Sequence, residues 1–464
     1  MSSNLNPSTG ASAINPTTGE TIESFTFLDS RQREAALAAA GQAYEQWRAT
    51  GIAARAKLIG GIAAELRRDA ERLARTMTLE MGKPIAQARA EVEKCAKLCE
   101  WYAENGPAML NDEAAPVATG SAYVSYLPIG VILGVMPWNF PLWQVMRGAV
   151  PILLAGNGFL LKHAPNVLRS AHNLVAVLEA AGLPKGLFQN FDVAQEHVAA
   201  AIADKRVAGV TLTGSVRAGA AVASEAARNI KKSVLELGGS DPFIVLADAD
   251  LDRAVAAAVE ARFQNVGQVC IAAKRFIVQD SIYDEFTEKF VARVAALKVG
   301  DPLDEGNYIG PMARYDLRDE LAGQVGRTLE QGAKLLLGGS IPKDSRGAFY
   351  TPTVLGDVKP GMVAFDQETF GPVAALTRAT DVAHAVALAN QSAFGLSGAL
   401  WTEDKQMARD VARRLETGGV FINGFSGSDP RVPIGGVKLS GYGRELSHFG
   451  IREFTNAQIV WTDR

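Results

Sequence analysis

The fold is indicated most clearly by a continuous apolar stretch, Gly130-Val131-Ile132-Leu133-Gly134-Val135-Met136-Pro137. Such a run suits a strand that is buried on both faces, as in a parallel sheet covered by helices. The residues after it predict a further alternation of elements: a helix at 143–154, a strand at 158–162, a helix at 166–181 and a strand at 209–213. This alternation predicts a doubly wound α/β domain.

A second α/β series begins after the glycine pair Gly238-Gly239, which interrupts the apolar run before it. The predicted elements of this series are a strand at 243–246, a helix at 251–265 and a strand at 275–279. Amphipathic helical patterns at 31–49 and 53–81 precede the first series. We therefore predict two doubly wound α/β domains, one at 1–115 together with 130–238 and one at 239–445.

The composition fits a globular protein of more than one domain. The chain has 464 residues, of which 48% are apolar, so it can bury large cores. A net charge of -3 provides no basic face, and we expect no nucleic-acid partner. The apolar stretches 127–143 and 149–161 are too short and too interrupted to span a membrane, so no membrane partner is expected. The start, Met1–Pro7, lacks a basic and an apolar targeting region, which predicts a cytoplasmic protein.

Cysteine and histidine residues are few. The cysteines are Cys95, Cys99 and Cys270, which is too sparse a set for a disulfide framework. Cys95 and Cys99 are one helical turn apart, but two soft ligands without partners do not form a zinc site. The five histidines are scattered along the chain without metal-binding spacing. We therefore expect no bound metal.

Chemistry is indicated by two segments, Leu235-Glu236-Leu237-Gly238-Gly239 and Gly267-Gln268-Val269-Cys270-Ile271. A lone cysteine is more often a small buried apolar residue than a nucleophile. A thiol in a loop with backbone donors, together with a carboxylate that activates water, is nevertheless the minimum set for covalent acyl chemistry. Cys270 is the candidate nucleophile, and Glu236 is the candidate base.

These two segments resemble those of the aldehyde dehydrogenase superfamily, and the resemblance extends over nearly the whole chain. It implies oxidation of a small-molecule aldehyde to a carboxylic acid with NAD or NADP, through a thiohemiacetal and a thioester on Cys270. The block Met136-Pro137-Trp138-Asn139-Phe140-Pro141 resembles the segment whose asparagine amide binds the oxyanion. Asn139 and the Cys270 N–H are therefore the expected oxyanion donors. The block that ends in Glu445 resembles the segment whose glutamate joins a proton relay in some members, which makes Glu445 a second candidate base.

A cofactor site is expected at a strand-to-helix turn. The dinucleotide fingerprint Gly-x-Gly-x-x-Gly is absent there, which counts against an ordinary Rossmann dehydrogenase. The turn instead reads Thr211-Leu212-Thr213-Gly214-Ser215-Val216-Arg217-Ala218-Gly219. Gly214 and Ser215 lie where a helix N-terminus offers amides to a phosphate, and Gly219 permits close packing.

The resemblance adds further cofactor residues. One of them is Trp138, which directly precedes Asn139 in the block at 136–141. Glu368 and Phe370 match residues that hold the nicotinamide ribose and support its ring, and Lys162 matches the lysine on the adenosine ribose. Pro165 stands where many NAD-preferring relatives carry a glutamate, so a 2′-phosphate would not be repelled. We therefore expect the use of both NAD and NADP.

Within this superfamily the chain resembles the NAD(P)-dependent succinate-semialdehyde dehydrogenases of bacteria. Arg147, two helical turns after Asn139, matches an arginine that binds the distal carboxylate of the substrate. The match is incomplete, because Gln264 occupies the position of a second arginine. Ser428 and Arg431 lie in a loop that would compensate. The alternative for Arg147 is a surface residue or an ion pair between helices.

Other functions remain open at this stage. A broad aliphatic aldehyde dehydrogenase would use the same residues, and a coenzyme-A-acylating relative would lack the base that Glu236 supplies. A thiol hydrolase or a binding protein would not need the segment around Glu368. Residues 116–129 and 446–464 resemble the arm and tail with which this family oligomerises, which predicts a homodimer or homotetramer.

Overall fold

The computed structural model describes residues 8–343 and 346–463. Residues 1–7, on which the prediction about a targeting segment depends, lie outside the described residues. The strands are β1 (Gly10–Ile14), β2 (Thr21–Thr26), β3 (Glu113–Ala115), β4 (Ser121–Pro128), β5 (Val131–Met136), β6 (Gly158–His163), β7 (Phe188–Asn190), β8 (Val207–Thr213), β9 (Lys232–Glu236), β10 (Asp241–Val245), β11 (Ala273–Gln279), β12 (Lys334–Leu337), β13 (Thr353–Gly356), β14 (Val373–Ala379), β15 (Phe394–Gly395), β16 (Gly398–Trp401), β17 (Val420–Ile422), β18 (Val437–Lys438), β19 (Gly441–Tyr442) and β20 (Thr455–Thr462).

The helices are distributed between these strands. They are α1 (Ser30–Arg48), α2 (Ile52–Arg68), α3 (Ala70–Met81), α4 (Ile85–Met109), α5 (Trp143–Leu154), α6 (Leu168–Ala180), α7 (Val198–Ala203), α8 (Val216–Arg228), α9 (Leu251–Phe263), α10 (Asp280–Ala295), α11 (Tyr315–Glu330), α12 (Val363–Asp366), α13 (Val382–Asn390), α14 (Lys405–Arg414) and α15 (Ser447–Glu453). Within residues 8–343 and 346–463, none of them combines the length and the apolar character needed to cross a bilayer.

The first large sheet has the strand order β19-β9-β8-β5-β6-β7. All of its pairings are parallel except that of β19 with β9. Strand β5 lies inside this sheet, and its side chains alternate between two cores. Ile132 belongs to a core formed with helices α1 to α6, while Leu133 belongs to one formed with other residues of α1 and with α7 and α8. Burial on both faces explains the uninterrupted apolar sequence of this strand.

The second large sheet has the order β12-β13-β14-β11-β10-β16-β17 and is parallel except for the pairing of β12 with β13. Its core contains Phe243 and Phe276, which are fully buried. The chain leaves the first sheet after β9 and enters the second at β10, so residues 237–240 connect the two sheets. The predicted fold class, α/β with parallel sheets, is confirmed.

A small antiparallel sheet, which we call the arm sheet, is formed by β20, β4 and β3 in that order. Strand β20 pairs with β4 from Thr455 opposite Pro128 to Thr462 opposite Ser121. Strand pairing departs from the predicted domain boundaries at two places. Strand β3 lies in the arm sheet rather than with residues 1–112, and β19 pairs with the first sheet although it falls within 239–445. The division into functional domains remains a proposal.

Two predicted helices have different limits in the structure. The amphipathic pattern at 53–81 predicts one helix, but the chain forms α2 and α3, separated at Asp69 with φ -102° and ψ 12°. The helix predicted at 166–181 begins as a 3-10 turn, Pro165–Val167, and becomes α-helical at Leu168. Side-chain periodicity continues through both breaks, so it does not reveal where the backbone leaves the α conformation.

Candidate active site

A cavity of about 710 Å³ lies where the two large sheets meet. The segments that follow β5, β8 and β9 line one wall of this cavity, which we call the cleft. This is the usual binding position in parallel α/β sheets, because the carboxyl ends of neighbouring strands meet at the same edge. The opposite wall comes from Cys270, from helix α11 and from Glu368 and Phe370.

Cys270 lies on a strained loop between α9 and β11. The 3-10 turn before it contains Asn265 and Val266 with φ values of 51° and 58°, which are unusual for residues other than glycine. The side chain of Asn265 stabilises this loop, since its Nδ2 donates to Asn139 O at 2.8 Å and to Gln268 O at 3.2 Å. The thiol of Cys270 is half-buried and reaches the cleft.

The Asn139 amide lies beside the nucleophile loop. Its Nδ2 donates to Gln268 O at 3.0 Å, and the side chain is buried. A carboxamide has two N–H donors, so one of them remains for another acceptor. Asn139 also lines the cleft together with Cys270. The structure therefore brings the predicted oxyanion donor and the predicted nucleophile together.

Glu236 ends strand β9 and is 3% exposed. Its Oε1 has no hydrogen-bond partner among the described residues. A Cβ atom at Gly435 would lie 2.9 Å from this oxygen, so the glycine leaves room for the carboxylate. Burial raises the pKa of Glu236 to about 8, against the opposing charge of Arg147. The carboxyl group therefore keeps its proton to a higher pH than an exposed glutamate does.

Burial also raises the pKa of the Cys270 thiol to about 11, although the charges of Arg147 and Lys274 act in the opposite direction. Lys274 Nζ donates to Cys270 O at 2.7 Å and to Val269 O at 3.0 Å. Lys274 is four residues after the candidate nucleophile, but the local sequence predicted no role for it. Its contacts identify it as a residue that holds the nucleophile loop.

Glu368 is connected to the same lysine. Its Oε1 lies 3.3 Å from Lys274 Nζ and accepts from the Gly239 N–H at 3.0 Å. Phe370 contacts Trp138 edge to face, with 5.7 Å between the ring centroids. Three of the predicted cofactor residues, Trp138, Glu368 and Phe370, thus lie together in the cleft.

The predicted phosphate turn also faces the cleft. Gly214 and Ser215 line it just before α8, and Ser215 Oγ accepts from the Ala218 N–H at 3.3 Å as an N-cap. Gly219 is buried within α8 and does not line the cleft. Lys162 and Pro165 lie outside its lining as well. Burial lowers the pKa of Lys162, whose Nζ donates to His163 O at 3.3 Å.

Arg147 forms a buried ion pair with Glu445. The Nε of Arg147 donates to Glu445 Oε2, and its Nη2 donates to Thr213 Oγ1 at 3.5 Å. Both charged side chains are at most 5% exposed. Arg147 does not line the cleft, but its charge acts on Cys270 and Glu236. The structure thus places Arg147 in an ion pair, but not in one between helices, because Glu445 lies between β19 and α15.

The other predicted substrate residues are not brought into the cleft. Gln264 is half-buried at the end of α9. Arg431 is exposed and pairs with Asp429, with 2.8 Å between Nε and Oδ1. Ser428 lines a separate small cavity, about 30 Å³, which is also lined by Ile271, the residue after Cys270. We call this the rear cavity.

Several residues of the cleft had no signal in the sequence. They come from the region of α11 and include Arg314, Asp316, Glu320 and Gln324. Gln324 Nε2 donates to Glu368 O at 3.2 Å. In residues 8–343 and 346–463, no cluster of three or more histidine, cysteine or acidic side chains is arranged to hold a metal ion.

The fold and the site define an α/β protein with a cysteine in the cleft between two parallel sheets, beside a buried glutamate and an asparagine amide. The sequence model of the aldehyde dehydrogenase family matches residues 4–460. The chain therefore belongs to the aldehyde dehydrogenase family, and the predicted resemblance is confirmed.

Similar proteins cover nearly the whole chain. It is 56% identical over 460 residues to succinate semialdehyde dehydrogenase (NAD(P)+) Sad of Escherichia coli, and this match covers 99% of each chain. It is 50% identical over 451 residues to succinate-semialdehyde dehydrogenase (NADP(+)) 1 of Mycobacterium tuberculosis, covering 97% of this chain and 98% of that protein. The solved structure of succinic semialdehyde dehydrogenase from Streptococcus pyogenes in complex with NADP+ matches with a TM-score of 0.96 and 37% identity. That match covers 98% of this chain and 100% of the other.

Proposed function

We propose that this aldehyde dehydrogenase oxidises succinate semialdehyde, or a related short semialdehyde, to the carboxylic acid with NAD or NADP. The proposal is carried by Cys270 and Asn139, which line the cleft, and by the buried Glu236, whose charge acts on the Cys270 thiol. These groups supply a nucleophile, an oxyanion donor and a base. The names of the relatives, which are 50–56% identical over nearly the whole chain, support the choice of substrate.

The residues of the cleft fit a nicotinamide dinucleotide. The volume of about 710 Å³ is within the range of cofactor pockets, and the N-terminus of α8 presents amides that suit a phosphate. Gly238 has no side chain, so the Glu368 carboxylate lies directly against it in the lining of the cleft, where we propose that it holds a ribose. When bound, NAD or NADP accepts a hydride.

Cys270 performs the first half of the reaction in this proposal. Its thiolate forms a C–S bond with the aldehyde carbon, and the carbonyl oxygen becomes an oxyanion. The second N–H of Asn139 and the Cys270 amide N–H stabilise that oxyanion. The charges of Arg147 and Lys274 favour the thiolate over the thiol. Loss of the hydride from the same carbon leaves a thioester on Cys270.

Glu236 performs the second half. Its carboxylate removes a proton from water, the hydroxide adds to the thioester carbon, and the C–S bond breaks to release the acid. The pKa of Glu236, raised to about 8 by burial, makes the base form more abundant as the pH rises. Glu445 is already held by Arg147, so we propose it as a weaker base than Glu236.

The two residues expected near the adenosine ribose, Pro165 and Lys162, bear on whether the enzyme uses NAD, NADP or both. Pro165 carries no acid that would repel a 2′-phosphate, and Lys162 stands nearby on β6. We therefore propose that both NAD and NADP are used, which agrees with the names of the relatives from Escherichia coli (NAD(P)+) and Mycobacterium tuberculosis (NADP(+)).

The arm sheet supports assembly into a homodimer or homotetramer. Strand β20 forms one edge of the sheet, and an edge strand can extend the sheet of a second copy. Leu127 and Ile459 of this sheet are 40% and 55% exposed. Burial of such apolar surface against a second copy would be favourable. The cytoplasmic location stays a prediction.

A substrate panel tests the proposal. Succinate semialdehyde, butanal and other short aldehydes are offered with each cofactor, and reduced nicotinamide and products are measured. Succinate formed with NAD or NADP, at a higher kcat/KM than butyrate from butanal, is the expected result. Equal use of both aldehydes would indicate a broad aliphatic aldehyde dehydrogenase, and a coenzyme-A thioester product would indicate an acylating enzyme.

A further inference from the structure

Lys94, on helix α4, is a half-buried cation beside the rear cavity. Its Nζ donates to Ser428 Oγ at 2.7 Å and lies 4.1 Å from the centre of the Trp143 ring. No carboxylate among the described residues lies within 4.0 Å of this ammonium group. Lys94 is therefore held by a hydroxyl and an aromatic face, and neither of them neutralises its charge.

The neighbouring cations differ from Lys94 in this respect. Lys83 pairs with Glu91, and Arg147 pairs with Glu445. A charge removed from water without a counter-ion lowers stability, so such a group is costly unless an anion reaches it during function. Since Arg147 already has a partner, Lys94 is the better positioned of the two to receive a further carboxylate.

The position of Lys94 relative to the nucleophile fits this interpretation. Ser428, its hydrogen-bond partner, lines the rear cavity together with Ile271, which follows Cys270 in the chain. Trp143, its aromatic partner, is the first residue of α5, four residues after Asn139. Lys94 and both of its partners thus lie outside the lining of the cleft, and Ser428 shares the rear cavity with the residue after the nucleophile.

We propose that Lys94, with Ser428, binds the distal carboxylate of the substrate and thereby sets a preference for aldehydes with an anionic far end. This inference rests on the proposed function. The Lys94 ammonium and the Ser428 hydroxyl are 2.7 Å apart, so a carboxylate would lie beside this pair and accept a hydrogen bond from each. It would also supply the counter-ion that the lysine lacks. Gln264, which is uncharged, cannot perform this role.

The same arrangement makes the preference depend on pH. Burial, followed by the charge of Arg147, lowers the pKa of Lys94 to about 8. The ammonium is therefore charged below about pH 8, and the preference should fall as the pH rises through that value. An uncharged aldehyde does not use the contact. The other titratable groups that act on Lys94 are Glu91, Cys95, Lys83 and Asp429.

The test compares kcat/KM for succinate semialdehyde with that for butanal in the full-length enzyme. Lys94→Met keeps the length and the contact with Trp143 but removes the charge. The ratio should fall about tenfold to a hundredfold, mostly through KM for succinate semialdehyde. Lys94→Arg should restore most of the ratio. The matched control is Lys97→Met on the exposed side of α4, which should leave the ratio unchanged.

The pH profile provides the second readout. In the wild-type enzyme the ratio should decline through about pH 8, and in Lys94→Met it should be flat. Taking a ratio cancels the titration of Cys270 and Glu236, which both substrates share. If the Lys94→Met enzyme kept the wild-type ratio, the role assigned to Lys94 would be wrong, but the proposed substrate would stand. The absence of any preference in the wild-type enzyme would overturn the proposed substrate as well.

Discussion

Gly238 lies directly against the carboxylate of Glu368, and a Cβ atom at position 238 would overlap Glu368 Oε2. Glu368 is held at this place by the Gly239 N–H at 3.0 Å and by Lys274 Nζ at 3.3 Å. Lys274 also binds the carbonyl of Cys270 at 2.7 Å. One network therefore connects the proposed ribose-binding glutamate with the loop that carries the nucleophile.

Gly238→Ala should weaken cofactor binding, because the new methyl group displaces Glu368 from its contacts. We expect KM for NAD and NADP to rise about tenfold, the size of one lost charged hydrogen bond. Steady-state kinetics with the cofactor varied will measure this change. The control is Gly61→Ala in helix α2, where a Cβ meets no atom within 4 Å. An unchanged cofactor KM in Gly238→Ala would show that Glu368 does not contact the cofactor.

Glu236→Gln should separate the two halves of the reaction. Without the base, thioester hydrolysis slows, so rapid mixing should produce a burst of reduced cofactor followed by slow turnover. In the wild-type enzyme we expect the rate of this step to rise with pH through about 8, the raised pKa of Glu236, and the variant should lose that rise. Cys270→Ala should abolish both phases. Near-normal turnover of Cys270→Ala would show that the nucleophile is another residue.

Arg147→Ala should destabilise the protein, because it leaves the Glu445 carboxylate buried without its cation. Removal of one partner of a buried ion pair typically costs about 3–5 kcal/mol. The double variant Arg147→Met, Glu445→Gln should lose less stability than the sum of the losses in Arg147→Met alone and Glu445→Gln alone. Urea unfolding of the three variants and the wild type gives this double-mutant cycle. Arg431→Ala breaks an exposed pair and should change stability by about 1 kcal/mol or less. Additive losses at 147 and 445 would indicate that the two charges do not interact.

Assembly through the arm sheet predicts a mass in solution of two or four times 49.3 kDa. Ile459→Asp should shift the mass towards a single chain, because it puts a charge into the apolar surface that a second copy would cover. Ile230→Asp changes a residue that is 92% exposed outside the arm sheet and should leave the mass unaltered. Light scattering at micromolar concentration measures both. A wild-type mass of one chain would refute the predicted assembly.

Local features of the sequence were sufficient for the class of fold. The uninterrupted apolar run of β5 requires burial on both faces, and the structure places Ile132 and Leu133 in two separate cores. The glycine pair at 238–239 lies where the chain passes from one sheet to the other. These signals are readable because hydrophobic periodicity and glycine turns act over a few residues. The break between α2 and α3 at Asp69 was missed, since the amphipathic pattern continues across it.

The candidate site was only partly predictable. Asn139, Glu236 and Cys270 were recognised from their motifs, and the structure brings Asn139 and Cys270 together at the cleft. The roles of Arg147 and Lys94 were not readable. Arg147 belongs to α5 and its partner Glu445 follows 298 residues later, so no local pattern reveals their ion pair.

By itself, the sequence determined the family, the alternation of strands and helices, and the candidate nucleophile, because each depends on neighbouring residues. Only the tertiary structure decided which charges are neutralised by direct contact. Arg147 is paired with Glu445, whereas Lys94 meets Ser428 and Trp143 and has no carboxylate within 4.0 Å in residues 8–343 and 346–463. The raised pKa values of Cys270 and Glu236 were decided there as well. The physical reason is that burial and Coulomb interactions depend on distance in space, which the order of residues along the chain does not contain.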